Sequence, residues 1–193
     1  MGTRKGEDIP DTSLRPGAQV LVSASGEAYI RSFTGIIERL VKDQGRKGIL
    51  ISTQWSANAL TRRITMSKMP RNSLKVIDTI SLSLGSGLNN MEEFVFLATP
   101  ASLEAILSEV ERSIRSESFK FNFLVIDSLT HLKRHYTDGQ LCEFFHLLLN
   151  RMLEEQYLVV LFDHEKLEDT NVSKVISSMI DQTYELTSGG GGK

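Results

Sequence analysis

The residues best suited to chemistry lie between an apolar segment and an amphipathic segment near the N-terminus. Residues 20–23 are typical of a buried strand, and residues 28–44 are typical of a helix. At such a junction a nucleotide-binding protein has a glycine-rich loop, whose N–H groups hold phosphate, and a lysine that reaches the outer phosphates. The connecting residues here are Ala24, Ser25, Gly26, Glu27, Ala28 and Tyr29. With one glycine, an acid and no lysine, the junction has the layout of a phosphate site without its chemistry.

Polar side chains also follow three other predicted strands, at residues 52–54, 127–128 and 163–165. In open parallel sheets, ligands bind at the carboxyl ends of the strands. Asp127 and Ser128 follow four apolar residues, which is the layout of the segment whose acid holds Mg²⁺ through water in nucleoside triphosphatases. An aspartate at a strand end also commonly caps the loop that follows it. Both interpretations of Asp127 stay open, and it is the one candidate for a magnesium contact.

The histidines allow two interpretations, a ligand site or an ordinary surface. His131 and His135 are four residues apart with Asp138 nearby, a spacing that could hold a metal ion on a helix. Because Lys133 lies between them, we interpret the segment as a solvated loop and predict no metal site. His164 follows a predicted strand and could sense a ligand there. The preferred interpretation is a loop histidine that caps the strand.

Trp55 follows the second predicted strand, at the rim of the same edge of the sheet. It could be a stacking platform or a contact for a partner. We favour packing against Tyr29, because a vacated phosphate pocket would leave a costly void. Arg62 and Arg63 belong to a basic run that could contact nucleic acid. The run is short and has no interleaved aromatic residues, so we interpret it as a solvated helix face.

The composition limits the classes of function. The chain has 193 residues, of which 40% are hydrophobic and 24% are charged, and this suits one globular domain. A net charge of −2 gives no general basic field for nucleic acid or an anionic membrane. No apolar run approaches the length of about 20 residues that spans a bilayer, and no apolar segment follows the N-terminal charges as in a signal peptide. Since Cys142 is the single cysteine, we expect a cytoplasmic protein without disulfides.

Strand-like apolar segments alternate with amphipathic helical segments along most of the chain. Strands are predicted at residues 18–23, 49–52, 74–80, 94–97, 121–126, 158–162 and 182–186. Helices are predicted at residues 28–44, 56–68, 99–116, 138–156 and 172–178. Uninterrupted apolar strands are typical of parallel strands that are buried on both faces. The alternation therefore predicts a three-layer α/β fold with a doubly wound, mostly parallel sheet.

A single domain is predicted over residues 18–187. Residues 1–17 are polar and contain two prolines, so we expect a flexible N-terminal lead-in. Residues 188–193 form a glycine-rich tail that is predicted to be flexible. It is either a linker to a further module or a remnant of cloning. The loop at residues 84–90 is either a partner-binding loop or a plain connection.

Three segments resemble the RecA-like ATPase superfamily and, within it, the archaeal KaiC-like branch. Residues 123–132 (FLVIDSLTHL) are similar to the strand that carries the magnesium-binding acid. Residues 74–81 (LKVIDTIS) are similar to the third strand, and residues 99–106 (TPASLEAI) to the start of the helix before the acid-bearing strand. The order and spacing match from about residue 18 to residue 187. The resemblance implies a RecA-like P-loop NTPase fold, in which nucleotide often binds between subunits.

The departures from that family fall on its catalytic parts. If Ala24 takes the first position of the phosphate loop, Tyr29 replaces a glycine, Ile30 the lysine and Arg31 the Ser or Thr. Arginine differs from lysine in length and shape, and isoleucine has no charge. Gln54 stands where the family has a glutamate that activates water, and a neutral amide cannot accept a proton near pH 7. The resemblance thus implies an inactivated ATPase with no catalytic residues. Its degenerate nucleotide site would comprise Ser25, Gly26, Glu27, Tyr29, Ile30, Arg31, Gln54, Asp127 and Ser128.

Three hypotheses of function follow. The first is a non-catalytic RecA/KaiC-like domain of an archaeal-type cytoplasm, without a cofactor, that acts in regulation or signalling by binding a protein partner or itself. The second is a sensor that binds a nucleotide or other phosphorylated ligand without hydrolysis, through Gly26, Arg31 and Asp127. Glu27 counts against it because a carboxylate repels phosphate, so ATP with magnesium is disfavoured. The third is an accessory protein that binds nucleic acid, which the net charge disfavours.

Overall fold

The computed structural model describes residues 3–6, 8–64, 66, 69–85, 93–98, 101–116, 120–164 and 170–187. In these residues the strands are β1 (Thr3–Gly6), β2 (Gln19–Ala24), β3 (Gly48–Ser52), β4 (Leu74–Asp78), β5 (Phe94–Phe96), β6 (Phe123–Ile126), β7 (Leu158–Asp163) and β8 (Gln182–Leu186). The α-helices are α1 (Gly26–Glu38), α2 (Ala57–Arg63), α3 (Leu103–Ile114), α4 (Leu129–His135), α5 (Asp138–Glu154) and α6 (Asn171–Met179). The predicted tail at residues 188–193 lies outside the described residues, as does most of the loop at residues 84–90.

The strands form one parallel sheet in the order β1-β8-β2-β7-β6-β3-β4-β5. Apolar side chains cover both of its faces, because the central strands are made almost entirely of Val, Ile, Leu and Phe. Helices α1 and α2 pack on one face, and α3, α5 and α6 pack on the other. The predicted three-layer, doubly wound α/β fold is therefore confirmed. Among the helices of the described residues, none combines the length and the apolar content needed to cross a membrane.

The N-terminal segment differs from the flexible lead-in expected over residues 1–17. Thr3–Gly6 forms an edge strand that pairs in parallel with β8. Ile9 and Leu14 are buried in the cluster that contains α1, so this segment covers one end of the core. The hydroxyl groups of Ser13 and Tyr184 also lie 2.5 Å apart and share a hydrogen bond. Two isolated apolar residues in a polar segment were too weak a signal to predict this packing.

One helix start and one predicted loop also differ from the predictions. Helix α3 begins at Leu103, because the Ser102 hydroxyl accepts a hydrogen bond from the Ala105 N–H at 3.0 Å and caps the helix. Residues 99–100, where the sequence predicts that helix to open, lie outside the described residues. The segment around His131 forms α4, where a solvated loop was predicted. The Ser128 hydroxyl caps α4 by accepting a hydrogen bond from the His131 N–H at 3.2 Å.

We expect Gly48→Ala to destabilise the sheet. An added Cβ would lie 2.0 Å from a ring carbon of Phe123, the fully buried residue opposite Gly48 in the β3–β6 pairing. Overpacking of this kind costs about 1 to 3 kcal/mol in the free energy of unfolding, which urea denaturation measures. Gly35→Ala is the matched control, because its Cβ would meet no atom within 4 Å and alanine favours a helix. A Gly48→Ala protein as stable as the control variant would contradict the prediction.

Candidate functional site

The candidate site lies at the carboxyl edge of the sheet, where β2, β7, β6 and β3 end side by side. Ser25, in an extended conformation, is the single residue that joins β2 to α1. The turn into the helix is sharp because Gly26 has a φ of +55°, which glycine adopts without strain. Helix α1 thus begins two residues before the predicted start, and strand and helix are almost continuous.

Tyr29 is the centre of this edge, and its side chain is only 1% exposed. Its ring lies 4.0 Å from the ring of His164, 5.6 Å from Trp55 and 5.8 Å from Phe162, measured between centroids. Phe33, one helical turn further along α1, stacks on it at 6.1 Å and contacts Trp55 at 4.8 Å. We call these five side chains the Tyr29 cluster. The contact of Trp55 with Tyr29 is the one expected if the two rings fill a vacated pocket.

The hydroxyl of Tyr29 joins the cluster to the neighbouring strand ends. It donates a hydrogen bond to the backbone carbonyl of Asp127 at 2.5 Å and accepts one from the side-chain amide of Gln54. The Gln54 carbonyl oxygen in turn lies 2.7 Å from Nε2 of His164. Burial, and then the nearby charge of Asp127, raises the pKa of Tyr29, so the hydroxyl keeps its proton and remains a donor.

The carboxyl group of Asp127 is completely buried and is directed at the end of β3. One oxygen accepts hydrogen bonds from the backbone N–H and the hydroxyl of Thr53, at 2.8 and 2.7 Å. The other lies 2.9 Å from the Ser52 hydroxyl and 3.4 Å from the Gln54 N–H. Burial raises the pKa of Asp127 to about 6, although these hydrogen bonds act in the opposite direction.

Two further strand-end aspartates are completely buried and bind their own surroundings. Asp163 accepts hydrogen bonds from the backbone N–H groups of Thr130 and His164, each at 3.0 Å, and pairs with Lys133 at 3.1 Å. Asp78 binds the backbone N–H of Ser81 at 2.8 Å and its hydroxyl at 2.6 Å. The roles of Asp78 and Lys133 were not predicted from the sequence. The signal that could have indicated Asp78 was an aspartate that ends an apolar strand and has a serine three residues later.

The predicted site residues separate into two groups. Tyr29, Gln54 and Asp127 come together through the hydrogen bonds described above, and Ser128 is buried beside them as the cap of α4. The remaining members are exposed on the first two turns of α1 and on the residue before it. They are Ser25, Gly26, Glu27, Ile30 and Arg31.

The histidines do not form a recognisable metal site. In the part of the chain that the structure describes, no group of three or more His, Cys, Asp or Glu side chains is arranged to hold a metal ion. Nδ1 of His131 lies 3.3 Å from the Ser128 hydroxyl. Partial burial, followed by the nearby Arg134, His164 and His135, lowers the pKa of His131 and keeps its imidazole neutral. His164 belongs to the Tyr29 cluster, where its ring packs against Tyr29.

Comparisons with known proteins support the fold and give no function. The chain matches a family of unknown function, DUF7090, over residues 7–192. A search of curated protein sequences found no match. Among solved structures, the chain is similar to a KaiC-like protein from the hyperthermophilic archaeon Pyrococcus horikoshii OT3. The two share 16% sequence identity with a TM-score of 0.59, over 91% of this chain and 79% of the other. At this identity the similarity supports the RecA-like, KaiC-like fold alone.

Proposed function

The chain belongs to DUF7090, a family of unknown function, and we propose that it is a non-catalytic RecA/KaiC-like domain that acts by binding a protein partner in regulation or signalling. The observation that carries this proposal is the position of Tyr29. Its buried ring occupies the space between the ends of β2, β7 and β3, where a RecA-like fold would hold phosphate. A side chain fixed there by ring contacts and hydrogen bonds leaves the fold without its nucleotide function.

The connection between β2 and α1 supports the proposal independently. A phosphate-binding loop needs several residues whose N–H groups converge on the ligand, together with a cation. Here one residue, Ser25, connects strand and helix. Ile30 and Arg31, the residues at the lysine and hydroxyl positions of the resemblance, are exposed on α1. The backbone is thus too short to form the loop, even before the side chains are considered.

The residues at the magnesium-binding and water-activating positions of the resemblance make other contacts. Gln54 cannot act as a general base, and its amide group binds Tyr29 on one side and His164 on the other. Both oxygens of the Asp127 carboxyl group lie within hydrogen-bonding distance of donor groups at the end of β3. The residues present therefore do not fit magnesium with ATP.

Titration with ATP and magnesium tests the proposal. We expect no heat of binding up to about 1 mM ATP, where binding is worth only about 4 kcal/mol, and no ATP turnover in the same sample. Calorimetry measures the first quantity and phosphate release the second, with ATP in the absence of magnesium as the control. Saturable binding without turnover would replace the proposal with a nucleotide sensor. Turnover that co-purifies with the protein would overturn it.

A sensor is the second candidate because of one feature of α1. The helix has no side-chain cap at its N-terminus, and its first residues are exposed, so their N–H groups could meet an anion. Glu27 in the same turn opposes this. A ligand that binds the folded state would raise the melting temperature in a manner that saturates with its concentration. Inorganic phosphate and ADP are the probes for that measurement.

A further inference from the structure

The two edges of the sheet differ in how they are protected from other strands. At one edge, β1 carries the exposed side chains of Arg4 and Lys5. At the other edge, β5 consists of Phe94, Val95 and Phe96 and has no charged residue or proline. Charges and prolines are the usual means by which an edge strand is prevented from pairing with another chain. Among the residues that the structure describes, only the β1 edge has this protection, and the outer side of β5 is left unpaired.

The backbone of β5 presents a regular set of hydrogen-bonding groups to the outside. The Glu93 carbonyl binds the Val76 N–H at 2.8 Å, and the Leu97 N–H binds the Asp78 carbonyl at 2.9 Å, so residues 93 and 97 face β4. Successive residues of a strand direct their backbone N–H and C=O groups to opposite sides. The backbone groups of Val95 therefore also point to β4, and those of Phe94 and Phe96 point away from it. Within the described ranges, no other strand pairs with this outer side.

We propose that a second copy of this chain pairs with β5, strand to strand, in antiparallel orientation about a two-fold axis at Val95. In that register Phe94 of one copy faces Phe96 of the other, and the pair exchanges two N–H···O bonds. The symmetry repeats the pair, which makes four bonds in total. The outward N–H and C=O groups of residues 94 and 96 in one copy are thus complementary to those of residues 96 and 94 in the other. The β1 edge of a second copy fits less well, since its side chains are exposed and basic.

The side chains beside β5 add to this surface. Phe94 and Phe96 stack on each other at 5.9 Å on one face of the strand, so aromatic rings would meet across the axis. An open cavity of about 310 Å³ lies next to Phe94, and its lining includes Met66 and Met69. Methionine adapts its shape to a neighbouring surface. The edge strand is short, so we expect an association of the weak, concentration-dependent class.

Sedimentation velocity over about 1 to 300 µM protein tests the dimer, a range suited to a weak interface. We expect the wild type to pass from monomer to dimer in this range. Val95→Lys would bring two ammonium groups together at the axis, because directly opposed residues lie about 4.5 Å apart between Cα atoms. It should weaken association at least about tenfold, a difference of about 1.4 kcal/mol. Val95→Thr, a β-branched replacement of similar size, should associate like the wild type.

Thr3→Lys is the control for added charge, since it places one lysine on the β1 edge instead. A wild type that stays monomeric, a Val95→Lys variant that dimerises normally, or an equal effect of Thr3→Lys would each overturn the proposal. Should Val95→Lys fail to fold, hydrogen exchange on the wild type decides. The Phe94 and Phe96 amides should exchange more slowly as concentration rises, and unchanged rates would overturn the dimer.

The β5 edge would be the surface through which the proposed interaction role is carried out. The dimer rests on the proposed function only for its biological meaning. The two can fail separately, because the ATP titration reports on the Tyr29 cluster and sedimentation reports on the β5 edge. A dimer that also hydrolyses ATP would remove the proposed function and keep the interface. A monomer that neither binds nor hydrolyses ATP would do the reverse.

Discussion

Tyr29→Ala is expected to lower the free energy of unfolding by about 3 to 5 kcal/mol, the usual cost of removing a buried aromatic side chain. The residue is 1% exposed and contacts four aromatic rings, so the cavity could not close without moving Phe33, Trp55, Phe162 or His164. The hydrogen bonds to Asp127 and Gln54 would also be lost. Urea denaturation monitored by circular dichroism measures the change.

Two control variants separate the causes. Tyr29→Phe keeps the ring and removes the hydroxyl, so it should cost only about 1 to 2 kcal/mol, which is the value of the lost hydrogen bonds. Ile30→Ala alters the next residue, which is 37% exposed, and should change stability by less than about 0.5 kcal/mol. If Ile30→Ala proved the more damaging of the two alanine variants, α1 would have the opposite face towards the sheet, and the proposed function would lose its support.

The contrast between Tyr29 and Ile30 shows what sequence reasoning could predict at this site. The absence of a lysine and of a glycine-rich loop was readable from residue types alone, and so was the apolar pattern that makes a doubly wound sheet. A phosphate loop of ordinary length puts Ile30 at the lysine position. The actual connection is one residue, because Gly26 turns the chain directly into α1. Turn geometry depends on backbone angles that a residue list does not give.

Long-range hydrogen bonds were the other feature beyond the sequence. Tyr29, Gln54 and Asp127 are 25 and 73 residues apart, and only the order of β2, β6 and β3 in the sheet brings them together. The sequence allowed Asp127 either to hold magnesium or to cap a loop. The structure directs its carboxyl group to Ser52 and Thr53. These partners lie at the end of β3, in a different part of the chain from the loop that an ordinary cap would serve, so the contact is not a local cap.

Burial makes the Asp127 carboxyl group hold its proton more tightly than usual, and the Ser52 hydroxyl is placed to accept that proton in a hydrogen bond. The Ser52 hydroxyl lies 2.8 Å from the Trp55 carbonyl and 2.9 Å from one Asp127 oxygen, but it has only one hydrogen to donate. If that oxygen carries a proton, Asp127 donates to Ser52 and Ser52 donates to Trp55. Both contacts are then satisfied, in agreement with the effect of burial on the pKa. Asparagine in place of Asp127 could donate through its amide in the same way.

Asp127→Asn should therefore stabilise the protein at neutral pH and not at acid pH. The wild-type pKa rises from its ordinary value of 3.8 to about 6 on folding. Below pH 3.8 both states are protonated, and the stabilising contribution is fully present. Between about pH 4 and pH 6 the unfolded chain loses its proton while the folded protein keeps it. The contribution is therefore lost as pH rises through about 6, and the total change is about 3 kcal/mol.

Urea denaturation of the wild type and Asp127→Asn at pH values from 4 to 7.5 measures this difference, because every other titrating group is common to both proteins. We expect similar stabilities near pH 4 and an advantage of about 2 to 3 kcal/mol for the asparagine variant at pH 7.5. Asp127→Ala is the control, since it leaves the Thr53 donors without a partner and should be less stable than the asparagine variant by about 2 to 4 kcal/mol at every pH. An asparagine variant that is less stable by a constant amount over this range would mean that Asp127 is ionised throughout. The carboxylate would then be available as a cation ligand, and the case for a nucleotide site would reopen.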